Sequence, residues 1–296
     1  MGIKSINPVN DFNKWELYCQ LKSVPAMEGC LPHTVLYARE SDIKEMLAQY
    51  NTIYLKPAVG RYSRKVVRVR LLPDQRIEYS YFDDRTRLEI AENWKQFAAF
   101  YQSFFKDRTF IVQEAIDVIR HNGQNIDFRA ELQRNGQGNL EIVAISARMA
   151  APDSPVTTTR AGTEVYKFTD FFKNMRNCSD RELNKLSRRV SDFLSKVYLN
   201  VEIIFGLFGD MGIDFALDQK LDLWLIECNA KSAKVALFMS YEQPAIHRSF
   251  LNPLEYAKFI DCGSANRAMQ ESTISFNCNA SYTKVRFLPA ATAKCR

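Results

Sequence analysis

The chain reads as an α+β protein of two lobes, and three observations predict this. Short strands alternating apolar and polar residues fall into two sets, at 52–82 and 109–148, separated by one aromatic helix. A capped amphipathic helix at 179–201 and a long alternating hairpin at 212–229 follow. The length, 296 residues, lies at the upper end of what one hydrophobic core serves, so cooperating lobes are expected. The division expected is a leading segment at 1–50, a first lobe at 51–115, a second lobe at 116–262 and a polar tail at 263–296.

The elements follow in order. Ser41 is expected to cap a short helix, with Asp42 in its first turn. Residues 52–57 form a strand stopped by Pro57, and Gly60 opens a basic turn. In 65–71, Val67, Val69 and Leu71 alternate with Arg68 and Arg70, the pattern of a half-exposed strand, and 76–82 reads as its antiparallel partner. Trp94, Phe97, Tyr101, Phe104 and Phe105 recur at helical spacing, a stripe that suits a core rather than a platform for stacked bases. Residues 109–116 are an apolar strand interrupted by Gln113 and Glu114. Ile126, Phe128, Ala130 and Leu132 alternate with Asp127, Arg129, Glu131 and Gln133, and after a Gly136–Gly138 turn another strand ends near Arg148. A Pro/Thr loop covers 151–163. Ser179 and Glu182 complete a capping box for a helix whose face is Leu183, Leu186, Val190, Phe193, Val197 and Val201. Asn252 before Pro253 is expected to begin the final helix.

Composition narrows the function classes. Hydrophobic residues make up 46% and charged residues 25%, so disorder is not expected. A net charge of +6 suits anionic ligands, nucleotide phosphates or nucleic acid, but the charge is scattered without a basic run, and nucleic acid is not expected as a partner. The seven cysteines are widely spaced without a CxxC pair, which argues against a zinc site or a dense disulfide framework. The N-terminal residues lack a signal-peptide apolar region and miss the myristoylation pattern. No stretch approaches the ~18 apolar residues that span a bilayer. No membrane partner is expected, and the cytoplasm is the expected location.

The hairpin carries the chemistry. Folded about Lys220 and Leu221, Ile213 opposes Cys228, Phe215 opposes Ile226 and Leu217 opposes Trp224, giving one wholly apolar face that buries Cys228. Asp214 then faces Glu227, with Asn229 on the same side. Carboxylates whose Cβ atoms lie ~5 Å apart repel unless a positive charge sits between them. Two carboxylates and an amide oxygen suit a hard cation of the Mg²⁺ type, while a solvent-facing acidic pair on an edge hairpin gives the same spacing. Lys56, ending an apolar strand before proline, needs an anionic partner or is a strand-end surface lysine. Lys14 is either a phosphate contact or an ordinary helix-surface lysine.

Several pieces resemble the ATP-grasp enzymes in the right order. The hairpin ending Glu227-Cys228-Asn229 is similar to their metal-binding hairpin, and Tyr54–Gly60 to the entry of their phosphate-covering loop. Residues 110–116 resemble the interlobe linker, and Asp127-Phe128-Arg129 with Arg148 resemble two arginine positions of glutathione synthetase-like members. Asn13-Lys14-Trp15, Leu31-Pro32-His33-Thr34 and Asn229-Ala230-Lys231 resemble in particular the YheC/YheD-type, endospore coat-associated group, over residues 10–260.

The resemblance implies ATP with Mg²⁺, or Mn²⁺ in its place. It places phosphate on Lys14 and Lys56, adenine against Gln113, Glu114, Ala115 and Ile116, and metal on Asp214, Glu227 and Asn229. Arg129 and Arg148 would stabilise the transferring group, with Asp127 orienting an arginine. The implied activity is carboxylate–amine ligation through an acyl phosphate, on a small molecule or peptide bearing a carboxylate together with an amine donor. A kinase acting on a hydroxyl and a non-catalytic, spore-associated coat protein are the alternatives. Two segments depart from the family: 60–65 holds one glycine where the phosphate loop is glycine-rich, and Thr159-Arg160-Ala161-Gly162 lacks the usual Asn and paired glycines.

Overall fold

The computed structural model describes residues 5–60, 64–152, 154–261, 273–276 and 283–286. Asn13 caps α1 (Lys14–Lys22), its side-chain oxygen accepting from the Trp15 N–H at 3.0 Å. After β1 (Thr34–Leu36) comes α2 (Glu40–Tyr50). Its cap position is Arg39, not Ser41. Asp42 decides this, because its carboxylate accepts the Ala38 and Arg39 N–H groups, both at 2.8 Å, and draws the helix start forward. Asn51, at φ 58°, ends α2 in the left-handed region and turns the chain into β2 (Thr52–Pro57).

The first sheet continues through β3 (Val67–Leu71), β4 (Ile77–Phe82) and β5 (Thr86–Ala91) to α3 (Trp94–Phe105) and β6 (Phe110–Glu114). Its order is β1-β6-β2-β3-β4-β5, antiparallel throughout. Strand β3 begins two residues later than expected because Lys65 sits at φ 58° in a turn. Edge strand β5 is half exposed and does not alternate, so no periodicity announces it. The aromatic stripe of α3 packs as expected: Phe97, Tyr101 and Phe105 are buried against β2, β3 and β4 residues in one core. That core also takes Ile43, Met46 and Leu47 of α2. The 1–50 segment is therefore divided. Residues 34–50 complete the first lobe, while Phe12, Leu17 and Leu21 join the core of the second.

The second lobe runs through β7 (Arg120–His121), β8 (Gln124–Arg134), β9 (Leu140–Met149), β10 (Glu164–Lys167), the single turn α4 (Phe168–Asp170), α5 (Asp180–Phe205), β11 (Asp210–Leu217), β12 (Leu223–Asn229), α6 (Val235–Ser240) and α7 (Gln243–Asp261). The sheet order is β12-β11-β8-β9-β13-β14, with β10 on β9 and β7 on β8. Its last strands, β13 (Thr273–Phe276) and β14 (Thr283–Arg286), lie within the expected polar tail. The rest of that tail falls outside the described residues. The expected Ser179–Glu182 capping box is present, and α5 buries the predicted face.

Helix α7 begins at Gln243, nine residues before the expected start. Pro253 lies inside it, and Asn252 is buried and donates to Glu141 Oε2 at 2.9 Å, a tertiary anchor that outweighs the proline signal. The hairpin register holds for Ile213 against Cys228 and for Asp214 against Glu227, then breaks. Phe215 pairs with Leu225, and Leu217 with Leu223, because Ile226 is the extra residue of a bulge. The turn shares in this. Asp218 accepts the Lys220 and Asp222 N–H groups at 2.8 and 2.9 Å and takes the Trp224 indole N–H at 3.1 Å, holding Trp224 out of the predicted pairing.

Candidate functional site

The lobes face each other across a cavity of about 530 Å³. On the first wall, Ile53 and Leu55 of β2 are buried in the core, so the alternating residues Tyr54 and Lys56 face the cleft. Lys56 Nζ donates to Gln113 Oε1 on the neighbouring strand β6 at 2.6 Å, and Gln113 Nε2 donates onward to Thr34 Oγ1 at 2.9 Å. Burial pushes the Lys56 ammonium down to about 8, against the raising pull of Glu227. Glu114, Ala115 and Ile116 line the same cavity. Some of their polar groups are already engaged: Glu114 Oε1 accepts the His33 N–H at 2.8 Å, the Ala115 N–H donates to the Thr52 carbonyl at 3.2 Å, and the Ile116 carbonyl accepts from Val118 at 2.9 Å.

The second wall is the polar face of β8 and β9. Ile126, Phe128, Ala130 and Leu132 are buried on one side of β8, which turns Asp127, Arg129 and Glu131 to the other. Arg148, the ladder partner of Asp127, donates Nε to Asp127 Oδ1 at 2.6 Å and Nη2 to Oδ2 at 2.9 Å. Its Nη2 also lies 3.1 Å from Asp214 Oδ1. Arg129 binds Asp214 through both Nε and Nη2, the latter at 2.8 Å. Neither arginine takes Glu131 or Glu141 as its partner. Asp127 orients an arginine as expected, helped by the Thr157 hydroxyl.

The predicted metal ligands converge, yet both carboxylates already have a cation beside them. Asn229 Nδ2 donates to Asp214 Oδ2 at 3.4 Å, and Asp214 remains the ladder partner of Glu227. Glu227 Oε1 lies 3.0 Å from Lys14 Nζ, which also donates to the Gly60 carbonyl at 3.1 Å. The positive charge that the facing carboxylates demand thus comes from Arg129, Arg148 and Lys14. Burial raises the Asp214 carboxyl, but the two guanidiniums outweigh it and hold it below the ordinary carboxylate value. For Asp127 burial wins over Arg148, and that carboxyl is raised.

Sequence reasoning missed the layer beneath. Ser232 donates to Glu131 Oε1 at 2.8 Å and receives Arg129 Nη1 at 3.4 Å. A Cβ on Gly212 would meet Ser232 Oγ at 3.0 Å and Arg129 Nη1 at 3.2 Å, so this glycine leaves the space that both occupy. Burial pushes Glu131 up to about 7. The signal available was the β8 alternation, which placed Glu131 on the face of Arg129. The bulge adds Ile226 to the cavity wall, and beside Asn229 a recess of about 130 Å³ opens, reached by Arg129, Arg148, Thr158 and Thr159. Cys228 is buried in the core, as expected. Arg61–Ser63 of the glycine-poor phosphate loop lie outside the described residues.

No helix among the described residues is long and apolar enough to cross a membrane. The chain is 24% identical to the endospore coat-associated protein YheD of Bacillus subtilis (strain 168) over 260 residues, which are 84% of this chain and 54% of that protein. It is 17% identical to the endospore coat-associated protein YheC of the same organism, over 76% of this chain and 61% of that one. The chain thus spans between about half and three fifths of the curated relatives it matches. Among solved structures it is similar to the D-cycloserine synthetase DcsG, at 12% identity and TM-score 0.48 over 84% of this chain and 69% of that one. It is also similar to an N5-carboxyaminoimidazole synthetase from Staphylococcus aureus complexed with ADP, at 7% identity and TM-score 0.41 over 74% of this chain and 42% of that one. The family described as YheC/D like ATP-grasp matches residues 2–260, and with most of its length so matched the chain, an α+β protein of the ATP-grasp fold, belongs to that family.

Proposed function

We propose that the chain is an ATP-dependent ligase joining a carboxylate to an amine, with an amino acid or peptide as the carboxylate substrate. The observation that carries this is Lys56. A half-buried ammonium whose hydrogen-bond partner is a neutral amide oxygen, on the wall opposite a charged network, suits an anion entering the cleft. Lys56 and Lys14 would hold nucleotide phosphates, and the walls formed by Gln113, Glu114, Ala115, Ile116 and Ile226 would hold the base by packing. The oxygen donors of Glu227, Asn229 and Asp214 fit a hard cation of the Mg²⁺ type, with Asp214 shared with its arginines. Such an ion, when bound, supplies charge neutralisation to the phosphates.

In the reaction proposed, a carboxylate oxygen bonds to the γ-phosphorus of ATP and the bond to ADP breaks. An amine nitrogen then bonds to the acyl carbon and phosphate leaves, the amine giving up a proton. Arg129 and Arg148 face the recess beside Asn229, where they would hold the carboxylate and stabilise the charge that develops during transfer. Calorimetric titration with Mg-ADP tests the reading. Binding that requires Lys56 supports it, and absence of binding at millimolar nucleotide removes it.

One observation favours a second reading, a spore-associated coat protein that keeps the fold without catalysis: Asp214 is bound by two arginines before any ion arrives. Phosphate release that depends on both a carboxylate and an amine separates the two.

A further inference from the structure

Helix α6 buries one side and leaves the other bare. Ala236 and Leu237 are buried against the sheet, whereas Val235, Phe238 and Met239 stand exposed at the spacing of one helical face. The face continues onto α7. The Phe238 and Phe250 rings lie 5.9 Å apart, and Leu254 follows one turn beyond Phe250. Phe238 is 49% exposed, Phe250 52% and Leu254 69%. Large apolar side chains scattered singly need no explanation, but a connected stripe does.

The stripe begins at the site. Val235 lines the recess of about 130 Å³ that Arg129, Arg148, Asp214 and Asn229 also line. Pockets that enclose a whole drug-sized ligand start at roughly 300 Å³. The recess therefore admits the reacting end of a molecule and leaves its body outside. Its lining sets Arg129, Arg148 and Lys231 against Asp11, Asp214 and Glu227; Asp214 is bound by the two arginines and Glu227 by Lys14, which leaves Lys231, exposed and in no ion pair among the described residues, to meet an anionic end. Thr158 and Thr159 also line the recess, and threonine hydroxyls suit amides.

From this continuity we infer that the carboxylate substrate is a peptide, its terminal carboxylate in the recess and its preceding apolar side chains lying on Val235, Phe238, Met239, Phe250 and Leu254. The inference rests on the ligase reading and narrows its substrate class. Separate apolar knobs on two helices match side chains spaced along a backbone, and the threonine hydroxyls match its amides.

The test is fluorescence anisotropy with the full chain and three labelled tetrapeptides: an alternating Phe/Leu peptide with a free C-terminal carboxylate, its C-terminal amide, and a Ser/Gly peptide with a free carboxylate, with decanoate as competitor. The apolar acid is expected to bind at least about tenfold more tightly than either other peptide. The double variant Phe238→Ser with Phe250→Ser is expected to lose that margin, and Phe238→Leu with Phe250→Leu to keep it. Equal binding of the three peptides overturns the inference. So does displacement by decanoate at lower concentration than by unlabelled apolar peptide, or self-association of the chain that the serine variant abolishes without peptide discrimination. Mg-ADP titration of the unaltered chain runs alongside: nucleotide binding without peptide discrimination sinks the inference alone, and peptide discrimination without nucleotide binding sinks the ligase reading alone.

Discussion

The two walls of the cleft solve the problem of buried charge in opposite ways. On the second lobe, Asp127, Arg148, Asp214 and Arg129 form a chain of alternating charges joined by bidentate hydrogen bonds, complete within the protein. On the first lobe, Lys56 meets a neutral glutamine oxygen, and burial weakens its hold on a proton. A network already neutralised holds its geometry before a ligand arrives, which is what transition-state stabilisation requires. A desolvated ammonium costs folding energy that an incoming phosphate, on the proposed reading, would return as binding energy. On the ligase reading proposed above, the difference assigns positioning to one wall and capture to the other.

The contrast breaks first at Arg129. Arg129→Met leaves Asp214 with Arg148 as its remaining guanidinium, and a loss of about 3–5 kcal/mol in folding stability is expected, measured by urea unfolding. A loss below about 1 kcal/mol would mean that the second wall is not held by its charges. Lys56→Met should do the reverse. Stability is expected to hold or rise, while Mg-ADP affinity measured by calorimetry falls about 100-fold, the scale of one charged group removed from a buried contact.

A smaller effect follows from pH. The folded value for Lys56 is depressed below that of a free lysine, so the ammonium is lost as pH rises through about 8. Mg-ADP affinity is expected to fall by up to about tenfold between pH 8 and 9, and the Lys56→Arg variant, whose guanidinium keeps its proton, to show a flat profile. A second pH effect concerns Glu131. Its carboxyl is raised to about 7, so in the folded protein it keeps a proton that the unfolded chain releases near its ordinary value. The unfolded state binds fewer protons across that window, and stability falls as pH rises from about 5 to 7. Glu131→Gln should remove a decline of about 3 kcal/mol from thermal melts, its curve meeting the wild-type curve at low pH and lying above it at pH 8.

Much of the site was legible because it sits on regular strands. Alternation in β8 and in the first half of the hairpin assigned Asp127, Arg129, Asp214 and Glu227 to one face, and the ladder confirms that assignment. Alternation says which side a residue faces and nothing of which neighbour it binds. Arg129 reaches Asp214, 85 positions along the chain, rather than Glu131 two positions away. The bulge at Ile226 was invisible for a related reason, since an extra residue leaves the local pattern of hydrophobicity almost unchanged while shifting every later pair. Helix ends went astray where a side chain further along supplied the cap, as Asp42 does, or where tertiary contacts outweighed a proline, as around Asn252.

By itself the sequence determined the two-lobed α+β architecture, the facing carboxylates of the hairpin and the lysine at the end of its strand. These follow from period-two burial, which is a local property of each strand. Tertiary structure alone decided that the arginines neutralise Asp214, that Lys14 crosses to Glu227, and that an apolar stripe leads away from the recess beside Asn229. Those outcomes depend on which elements the hydrophobic cores bring together, because electrostatic partners are chosen by distance in space and the chain specifies that distance only once it has folded.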